Sequence, residues 1–376
     1  MDRKRVGLLF YAGGFAPVGG IETFTHNLLV ALEQRGFATT LVCWGKRSAI
    51  LNEIDAGGTR VVRQRFRWGC RFGWPDRVML PVGLREVRQA DIVFFGKMLE
   101  PAILCSLGRA RTSKHAPPFV FVTPYRPAEM WQAAPPDPDV LHLFDAIVVQ
   151  ARVFASDLEQ VGYQKDVRVI PYLPSPESPI EPFPDAKGGM KIGFLGRLSA
   201  QKNLGYLLEA FAALKARVPA EERGQYELHL FGDGAEKVYL EAKAEELGIF
   251  GSVMFHGMIP HEAVSAAIDS CHMFAFTSIA EGQCLAALEI LSRGRPIVAM
   301  AVGALPEIVN NEGVGKIVRS HARLCFADAL EEVAARIRDR KITVQNVRSN
   351  YDARFSHAAV AREYTNLVEQ LIQRTV

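Results

Sequence analysis

The sequence lacks both a hydrophobic run long enough to cross a bilayer and any closely spaced pair of cysteines. A membrane-spanning helix needs roughly 18 apolar residues, and no stretch of this chain reaches that length. Its 6 cysteines are scattered without a Cys-x-x-Cys spacing, which argues against a zinc site and against a disulfide framework. The first residues, Met1 to Arg5, lead into a short apolar strand rather than into a signal peptide. We therefore expect a cytoplasmic protein with reduced thiols.

The sequence also lacks the glycine patterns that hold common nucleotide cofactors. Gly13-Gly14 and Gly19-Gly20 do not supply Gly-x-Gly-x-x-Gly after the first strand, and no Gly-x-x-x-x-Gly-Lys-Ser/Thr occurs. A nicotinamide-dependent dehydrogenase and a P-loop enzyme are thus disfavoured. The one Asp-x-Asp, Asp137-Pro138-Asp139, lies in a proline-rich stretch, which disfavours a metal site there. We expect neither a cofactor nor a bound metal.

Charge of one sign is not in strong excess. The chain has 44 Lys and Arg against 41 Asp and Glu, a formal net charge of +3, so a nucleic-acid-binding protein is disfavoured. Segment 60–77 is the exception, because arginines and aromatic residues are interleaved there and only Asp76 opposes them. Such a cationic aromatic surface suits peripheral contact with an anionic membrane. The alternative is a loop whose aromatic side chains pack inward while the arginines stay in water.

Strand-like apolar runs alternate with helical patterns along the chain, and this alternation predicts parallel sheets. The runs lie at 6–10, 39–43, 91–95, 119–122, 146–149, 167–170, 190–195, 227–231, 253–255, 273–276 and 297–300. A length of 376 residues suggests two domains, and a proline-dense stretch separates the two series of runs. The sequence therefore predicts an α/β fold of two doubly wound, Rossmann-like domains that face each other across a cleft. Their expected bounds are 1–172 and 190–355, with a linker over 173–189.

Two carboxylates, Glu281 and Glu289, bracket a mostly apolar turn of chain after a predicted strand. Glu281 is expected at the carboxyl end of that strand, where open α/β sheets bind ligands. The amides of Gly282, Gln283 and Cys284 are expected at a helix N-terminus, which favours anionic phosphate. Eight residues at roughly 100° each leave about 80° between the two glutamates, so both can face one polyhydroxylated ligand. A helix-start acid and a solvated glutamate are the alternative.

A second group of polar residues lies in the loop that follows the run at 190–195. The fork of Arg197 matches phosphate oxygens and Lys202 adds a point charge, so the two together suit a pyrophosphate. Asn203 is expected to cap the next helix with its side-chain oxygen. Two exposed cations in a surface loop are the alternative interpretation of Arg197 and Lys202.

In four places the chain resembles the glycosyltransferases of family 4. The places, in chain order, are Gly19-Gly20-Ile21-Glu22, Gly196-Arg197-Leu198 with Lys202-Asn203, Phe231-Gly232-Asp233-Gly234, and Glu281 to Glu289 followed by Gly294-Arg295-Pro296 and Gly303-Ala304-Leu305-Pro306-Glu307. Together they span most of the chain, and the ordered set is specific. The resemblance implies the GT-B fold and transfer of a sugar from a nucleotide-sugar donor to an acceptor, with retained anomeric configuration and no metal. It also implies that the last helix, within 356–376, crosses back onto the first domain.

The resemblance also implies roles for individual residues. Arg197 and Lys202 are expected to bind the donor diphosphate, and Glu281 to lie against the hydroxyls of the donor sugar. These three are the candidate catalytic residues. The expected donor-binding set comprises these three and Gly19, Gly20, Gly282, Gln283, Cys284, Leu285 and Glu289. Within that set Glu289 is expected to hold the ribose hydroxyls.

Glycine explains the expected role of Gly19 and Gly20. Because a glycine backbone can approach a ligand where a Cβ would clash, these two are expected to bring an N-terminal loop close to the phosphates. An ordinary strand-to-helix turn is the alternative.

The chain departs from the family pattern at two places. Gln283-Cys284 stands where an aromatic residue and a glycine are common, so an altered donor pocket is expected. The histidine usual on the acceptor side is missing, and Thr123-Pro124-Tyr125-Arg126 follows the corresponding strand. Tyr125 and Arg126 are candidates to face the acceptor, without a role that the family assigns.

Breaking a glycosyl–phosphate bond leaves negative charge on the diphosphate, which two cations and helix amides can stabilise. The expected function is a retaining, metal-independent hexosyltransferase. It would move a hexose from a UDP- or GDP-sugar to a glycan or lipid-linked acceptor in bacterial cell-surface polysaccharide synthesis. Segment 60–77 would then contact the inner face of the membrane. The alternatives are a nucleotide-sugar epimerase, which acts without an acceptor, and a non-catalytic nucleotide-sugar-binding protein, which would not need Glu281.

Overall fold

The computed structural model describes residues 5–9, 20–44, 54–64, 89–96, 117–123, 126–127, 138–176, 178–184, 189–218 and 226–374. The chain divides into two compact units. Unit 1 comprises Met1–Ser175 and His357–Val376, and unit 2 comprises Pro176–Ser356.

Unit 1 contains a seven-stranded parallel sheet with the order β3-β2-β1-β4-β5-β6-β7. Its strands are β1 Arg5–Leu9, β2 Ala38–Trp44, β3 Arg60–Gln64, β4 Ile92–Phe95, β5 Phe119–Val122, β6 Ala146–Val149 and β7 Asp166–Val169. The helices among them are α1 Gly20–Gln34, α2 Pro138–Leu141 and α3 Arg152–Gln160. β4, β5 and β6 are apolar and buried at every position, as expected for parallel strands covered on both faces.

Unit 2 contains a six-stranded parallel sheet with the order β10-β9-β8-β11-β12-β13. Its strands are β8 Met190–Leu195, β9 Tyr226–Phe231, β10 Val253–Gly257, β11 Met273–Phe276, β12 Ile297–Met300 and β13 Gly315–Val318. The helices are α4 Leu204–Arg217, α5 Lys237–Glu246, α6 Val264–Asp269, α7 Leu285–Ser292, α8 Leu305–Ile308, α9 Arg323–Arg338 and α10 Val344–Phe355. Short 3-10 turns lie at Ala200–Lys202, Phe250–Ser252 and His261–Ala263.

The last helix, α11 His357–Gln373, belongs to unit 1. It buries an apolar face that includes Val360, Tyr364 and Leu367, and its Tyr364 ring lies 5.5 Å from the ring of Phe24 in α1. Phe24 also packs on Tyr172 at 4.8 Å. These rings give α1 and α11 a common core with the end of the first chain segment.

Three arginines of unit 2 hold the proline-dense segment. Arg295 is fully buried and donates to the carbonyls of Glu181 and Pro182, both at 2.9 Å. Arg293 donates to the carbonyl of Pro179, and Arg348 to that of Ser178 at 3.2 Å. The segment cannot form ladder hydrogen bonds at its prolines, and guanidinium groups supply donors for its carbonyls instead. Arg295 also donates to the carbonyls of Asp269, Cys271 and Arg293.

The predicted strands are confirmed with small shifts at their ends, but two strands are missing from the prediction. The first is β13, which was not predicted because it has only four residues and because Lys316 interrupts its apolar run. β3 occupies the start of segment 60–77, where the sequence suggested a patch or a loop. Residues 60–64 in fact pair in parallel with β2 at the sheet edge, and residues 65–77 lie outside the described residues. Within the part of the chain that the structure describes, no helix has the length and apolar character to span a membrane.

Candidate functional site

Two neighbouring loops at the carboxyl edge of the six-stranded sheet carry most of the residues singled out in the sequence. Loop 196–203 follows β8, and loop 277–284 follows β11. β8 and β11 pair in parallel, although the chain leaves β8 for β9 on the opposite side. Open α/β sheets bind their ligands at such a reversal of strand order, outside the carboxyl ends of the strands. The topology therefore places a candidate site at these two loops.

An ion pair joins the two loops. The Lys202 Nζ lies 2.6 Å from Oε1 of Glu281, and the two side chains are only 19% and 6% exposed. The hydroxyl of Ser278 donates to the same oxygen at 2.6 Å. Oε1 of Glu281 thus accepts two hydrogen bonds, and one of them carries a full positive charge. This pairing brings two of the predicted catalytic residues into direct contact.

Further hydrogen bonds hold the backbone around this ion pair. The hydroxyl of Thr277 donates to the carbonyls of Lys202 at 3.0 Å and Asn203 at 3.1 Å. The amide of Ile279 donates to the carbonyl of Gln201 at 2.9 Å. In the opposite direction, the side-chain amide of Gln201 donates to the carbonyl of Ala280 at 2.9 Å. Because the bonds run in both directions, neither loop can shift without the other.

Arg197, the third predicted catalytic residue, is exposed in the same loop as Lys202. Its loop rests on the segment after β9, since the Leu198 amide donates to the carbonyl of Asp233 at 2.9 Å. A Cβ at Gly232 would lie 1.9 Å from the carbonyl oxygen of Gly196, so only glycine permits this approach. The glycines of the Phe231 to Gly234 segment therefore support the loop that carries the two cations.

The loop after β12 supports Glu281 from the other side. Gly303 has a positive φ of 53°, and a Cβ there would lie 2.0 Å from the carbonyl oxygen of Glu281. The amide of Ala304 donates to the carbonyl of Gly282 at 3.2 Å. The backbone that carries Glu281 is thus fixed by close contacts with Gly303 and Ala304.

The helix predicted near Glu281 begins at Leu285, with Cys284 immediately before it. Gly282 and Gln283 lie between the ion pair and this helix, and the Gln283 side chain is buried. Cys284 adopts the left-handed conformation, with φ 58° and ψ 70°. Burial first, and the charge of Glu281 second, raise the pKa of the Cys284 thiol well above its usual range, so the thiol is neutral.

The expected angular relation between Glu281 and Glu289 is wrong. Glu281 lies in the loop before α7, so the helical repeat does not relate it to Glu289. Glu289 is an exposed residue little more than one turn into α7, rather than two turns. Asn203 also differs from expectation, because it stands at the start of α4 in the left-handed conformation with φ 50° and makes no side-chain cap bond. Its carbonyl, not its side chain, contributes by accepting from Thr277.

The N-terminal candidates are placed only in part. Gly20 is the first residue of α1, whereas Gly19 lies outside the described residues. Of the two acceptor-side candidates, Tyr125 is also outside them. Arg126 makes a bidentate contact with the nearly buried Asp157 at 2.9 and 3.1 Å. The guanidinium of Arg126 is therefore engaged with unit 1 itself.

Among the residues that the structure describes, no group of three or more His, Cys, Asp or Glu side chains could hold a metal ion. Of the Asp137-Pro138-Asp139 motif, Pro138 begins the short helix α2 and Asp137 lies outside the described residues. The site at β8 and β11 offers instead one exposed cation, one paired cation and one carboxylate. Such a set can bind an anionic group through Arg197 and Lys202 and a hydroxyl through Glu281.

Sequence reasoning missed Thr277 and Ser278, the two residues that directly follow β11. Both are buried, at 1% and 0% exposure, and both hydroxyls donate to partners of the ion-pair region. A signal was present, since two hydroxyl residues directly after a four-residue apolar strand place polar groups at the carboxyl edge of a sheet. Buried hydroxyls at such a position need partners, and the charged loop residues are the nearest ones.

Two family models match the chain. The model described as glycosyl transferases group 1 matches residues 179–349, and the model described as glycosyltransferase family 4 matches residues 18–172. The first contains both loops of the candidate site, and the second contains α1 and most of the seven-stranded sheet.

Curated relatives match over about half of this chain. A D-inositol 3-phosphate glycosyltransferase of Corynebacterium jeikeium is 33% identical over 185 residues, which are 48% of this chain and 43% of that protein. An uncharacterized glycosyltransferase of Methanocaldococcus jannaschii is 28% identical over 174 residues, which are 46% of this chain and 43% of that protein. In both cases the match covers less than half of the relative's own length.

Solved structures match over nearly the whole chain. The lipopolysaccharide outer core galactosyltransferase WaaB has a TM-score of 0.75 and 18% sequence identity, with 97% of this chain and 99% of that chain covered. Anabaena HepE in complex with UDP has a TM-score of 0.70 and 16% identity, with 97% of this chain and 100% of that chain covered. At these identities the likeness establishes the fold alone.

Proposed function

The chain belongs to glycosyltransferase family 4 and has the GT-B fold, and on that premise we propose that it transfers a hexose from a nucleotide diphosphate sugar to an acceptor. The donor is a UDP- or GDP-sugar, and the acceptor is a glycan or a lipid-linked glycan of bacterial cell-surface polysaccharide synthesis. The anomeric configuration is retained and no metal takes part. The observation that carries the proposal is the ion pair of Lys202 and Glu281 at the carboxyl ends of β8 and β11.

The diphosphate is assigned to the two cations of loop 196–203. When the bond between the anomeric carbon and the phosphate oxygen breaks, its electron pair remains on the diphosphate. Arg197 is exposed and offers a fork for phosphate oxygens, and Lys202 lies at the edge of the same loop. Two cations stabilise the leaving diphosphate, which gains a further negative charge, more than the less highly charged intact sugar diphosphate, which is the condition for catalysis. The same two charges take the place that a divalent metal has in other transferases.

The sugar is assigned to Glu281. Its carboxylate is held by Lys202 and Ser278, and the backbone at Gly303 and Ala304 fixes the residue that carries it. A rigid carboxylate accepts hydrogen bonds from sugar hydroxyls and places the anomeric carbon over the cations. Gly282, Gln283, Cys284 and Leu285 complete the donor side in this proposal, and the exposed carboxylate of Glu289 binds the ribose hydroxyls.

The acceptor attacks the anomeric carbon through a hydroxyl oxygen, and the proton of that hydroxyl leaves as the new glycosidic bond forms. Retained configuration places the new bond on the face that the diphosphate left. A diphosphate oxygen is then close enough to take the proton, so the chemistry requires no histidine on the acceptor side. This is consistent with a chain in which Thr123-Pro124-Tyr125-Arg126, without a histidine, follows the strand after which such a histidine is usual.

The comparisons support the donor class. HepE has been solved in complex with UDP and with UDP-glucose, and a pneumococcal O-GlcNAc transferase in complex with UDP and GlcNAc. Sucrose-phosphate synthase is a further structural neighbour, with a TM-score of 0.71 and 19% identity. These are properties of the neighbours, and we transfer to this chain only the expectation of a nucleotide-sugar donor.

Thermal unfolding with UDP, GDP, ADP, TDP and NAD tests the proposal first. A ligand at about 100 times its Kd stabilises the native state by roughly 2.7 kcal/mol. We expect a selective shift with UDP or GDP and none with NAD. Turnover of the matching hexose donors, with product analysis by mass spectrometry and NMR and with EDTA present, then tests transfer, configuration and metal independence. Conversion of the donor to an isomer without an acceptor would identify an epimerase, and binding without any turnover a non-catalytic protein.

Peripheral contact with the inner face of the membrane is part of the proposal. It was assigned to segment 60–77, of which β3 alone lies within the described residues. Co-sedimentation with liposomes that contain or lack an anionic lipid tests it. We expect binding only to anionic liposomes, and equal recovery from both would remove the membrane contact from the proposal.

A further inference from the structure

The two oxygens of the Glu281 carboxylate have different surroundings. Oε1 accepts from Lys202 Nζ and from Ser278 Oγ, each at 2.6 Å. Oε2 accepts no hydrogen bond from any residue that the structure describes. The side chain is 6% exposed, so it is not free to rotate in solvent. The carboxylate is therefore held at one oxygen, and its other oxygen remains an acceptor with unused capacity.

Ser278 is well placed to control this orientation. It lies three residues before Glu281, is fully buried, and directs its hydroxyl at the same oxygen as the Lys202 ammonium. Lysine alone fixes a carboxylate poorly, because an ammonium is a point charge with rotatable donors. A second donor on the same oxygen removes that freedom by fixing the direction of the carboxylate plane.

We propose that Ser278 is a positioning residue that, together with Lys202, occupies Oε1 of Glu281 and thereby presents Oε2 to a hydroxyl of the donor sugar. This inference rests on the proposed function, because it requires that Glu281 binds the sugar part of a nucleotide sugar. It adds a residue that does not itself touch the ligand. Thr277 acts on the other partner, since it holds the backbone carbonyl of Lys202 rather than either charged group.

A packing role for Ser278 would have different consequences. Loss of packing would disturb both loops and weaken every ligand of the site, including the free diphosphate. Loss of positioning would weaken only the part of a ligand that Glu281 contacts. The contrast between a nucleoside diphosphate and its sugar ester therefore separates the two roles.

The test uses the diphosphate among UDP, GDP, ADP and TDP that stabilises the wild-type protein, together with the glucose ester of that diphosphate. Isothermal titration gives the Kd of each for the wild type, Ser278→Ala, Glu281→Ala and the double variant. Ser270→Ala is the matched control, because the exposed Ser270 hydroxyl bonds to the carbonyl of Ala267 and to the Cys271 sulfur, neither of which belongs to the two loops. We expect Ser278→Ala to reduce the preference for the ester at least about fivefold while the Kd of the diphosphate stays within about twofold.

The double variant gives the second readout. If Ser278 acts through Glu281, Glu281→Ala already removes the preference for the ester, and Ser278→Ala then changes it less than about twofold. An unchanged preference in Ser278→Ala, an equal loss for ester and diphosphate, or the same loss in the Glu281→Ala background overturns the inference. A wild type that binds none of the four diphosphates overturns the proposed function itself, and this result is recognised before any variant is made.

Discussion

Lys202 and Glu281 are 79 residues apart in sequence, and their side chains meet at 2.6 Å between the loops that follow β8 and β11. A lysine that binds diphosphate and a glutamate that binds a sugar would have to lie at the junction of these two ligand groups. Their contact satisfies that requirement. It also means that each side chain holds the other in place.

We expect Lys202→Ala and Glu281→Ala each to lower the rate of sugar transfer at least about tenfold, which corresponds to about 1.4 kcal/mol of transition-state stabilisation. Because the two side chains pair directly, the double variant should lose less than the product of the single losses. Steady-state kinetics with the identified donor measures this. Lys341→Ala is the control, since its ion pair with Asp339 lies on the surface. Wild-type rates in both single variants would remove these residues from the site.

Arg197→Ala should weaken the binding of a nucleoside diphosphate more than the binding of the corresponding monophosphate. The exposed guanidinium can contact two phosphate groups at once, so we expect about a tenfold rise in the Kd of the diphosphate. Isothermal titration of both nucleotides measures the difference. Arg362→Ala, at an exposed position of α11, is the control. An equal effect on both nucleotides would argue against direct contact of Arg197 with the second phosphate.

Gly303→Ala should disturb the site through the backbone alone. A methyl group would lie 2.0 Å from the carbonyl oxygen of Glu281, and the φ of 53° disfavours a side chain. We expect a loss of at least about 2 kcal/mol in the stability of unit 2, measured by calorimetry, and weaker diphosphate binding. Gly251→Ala is the matched control, because its methyl group would meet nothing within 4 Å. Equal melting temperatures in the two variants would show that the loop can relax.

At position 284 a glycine variant should be more stable than an alanine variant, the reverse of the order usual in helices. Its φ of 58° is unfavourable for any residue with a Cβ. We expect Cys284→Gly to be more stable than Cys284→Ala by about 1 kcal/mol. At Ala286, the second residue of the same helix, glycine should instead be the less stable by up to about 1 kcal/mol. Calorimetric melting of the three variants measures both differences, and an alanine variant more stable than glycine at position 284 contradicts the assigned strain.

The stability of unit 2 should decrease between pH 6.5 and pH 4 because of His272. Burial, the largest cause, lowers the pKa of this side chain from 6.5 to about 4, and its Nδ1 accepts the Lys191 amide at 3.0 Å. In this range the unfolded chain binds a proton that the folded chain does not, so acid favours unfolding. The loss reaches about 3 kcal/mol at pH 4.

His272→Asn keeps an acceptor but cannot take up a proton, so its melting temperature should vary less with pH over this window. His321→Asn, at an exposed position, serves as the control. Parallel pH profiles for wild type and His272→Asn would assign the acid sensitivity to other groups.

The sequence allowed the fold to be predicted where apolar runs are long and continuous. β5 and β11 were predicted with the bounds that the structure shows, because Phe-Val-Phe-Val and Met-Phe-Ala-Phe are short, continuous apolar runs, as expected for buried parallel strands. β3 was not predicted, because Arg60 and Arg63 of this edge strand flank only two apolar residues. Its strand conformation comes from pairing with β2, a contact between distant residues that local pattern cannot reveal.

The charged residues of the site could be predicted from the sequence, but the contacts among them could not. Arg197, Lys202 and Glu281 could be chosen from residue type and position, and the structure joins the latter two directly. The helical angle between Glu281 and Glu289 failed because α7 begins only at Leu285. The start of α7 depends on the left-handed conformation of Cys284. Residues with a Cβ rarely adopt this conformation, so a cysteine at this position does not predict it.

The arginines that hold the proline-dense segment determine where the C-terminal half can be cut. A fragment that begins at Met190, the first residue of β8, would leave the Arg293 and Arg295 guanidinium groups without the carbonyls of Pro179, Glu181 and Pro182. Since buried donors without acceptors are costly, such a fragment should be less soluble and less stable than one that begins at Pro176. The folding boundary of this half thus precedes its first strand by more than a dozen residues.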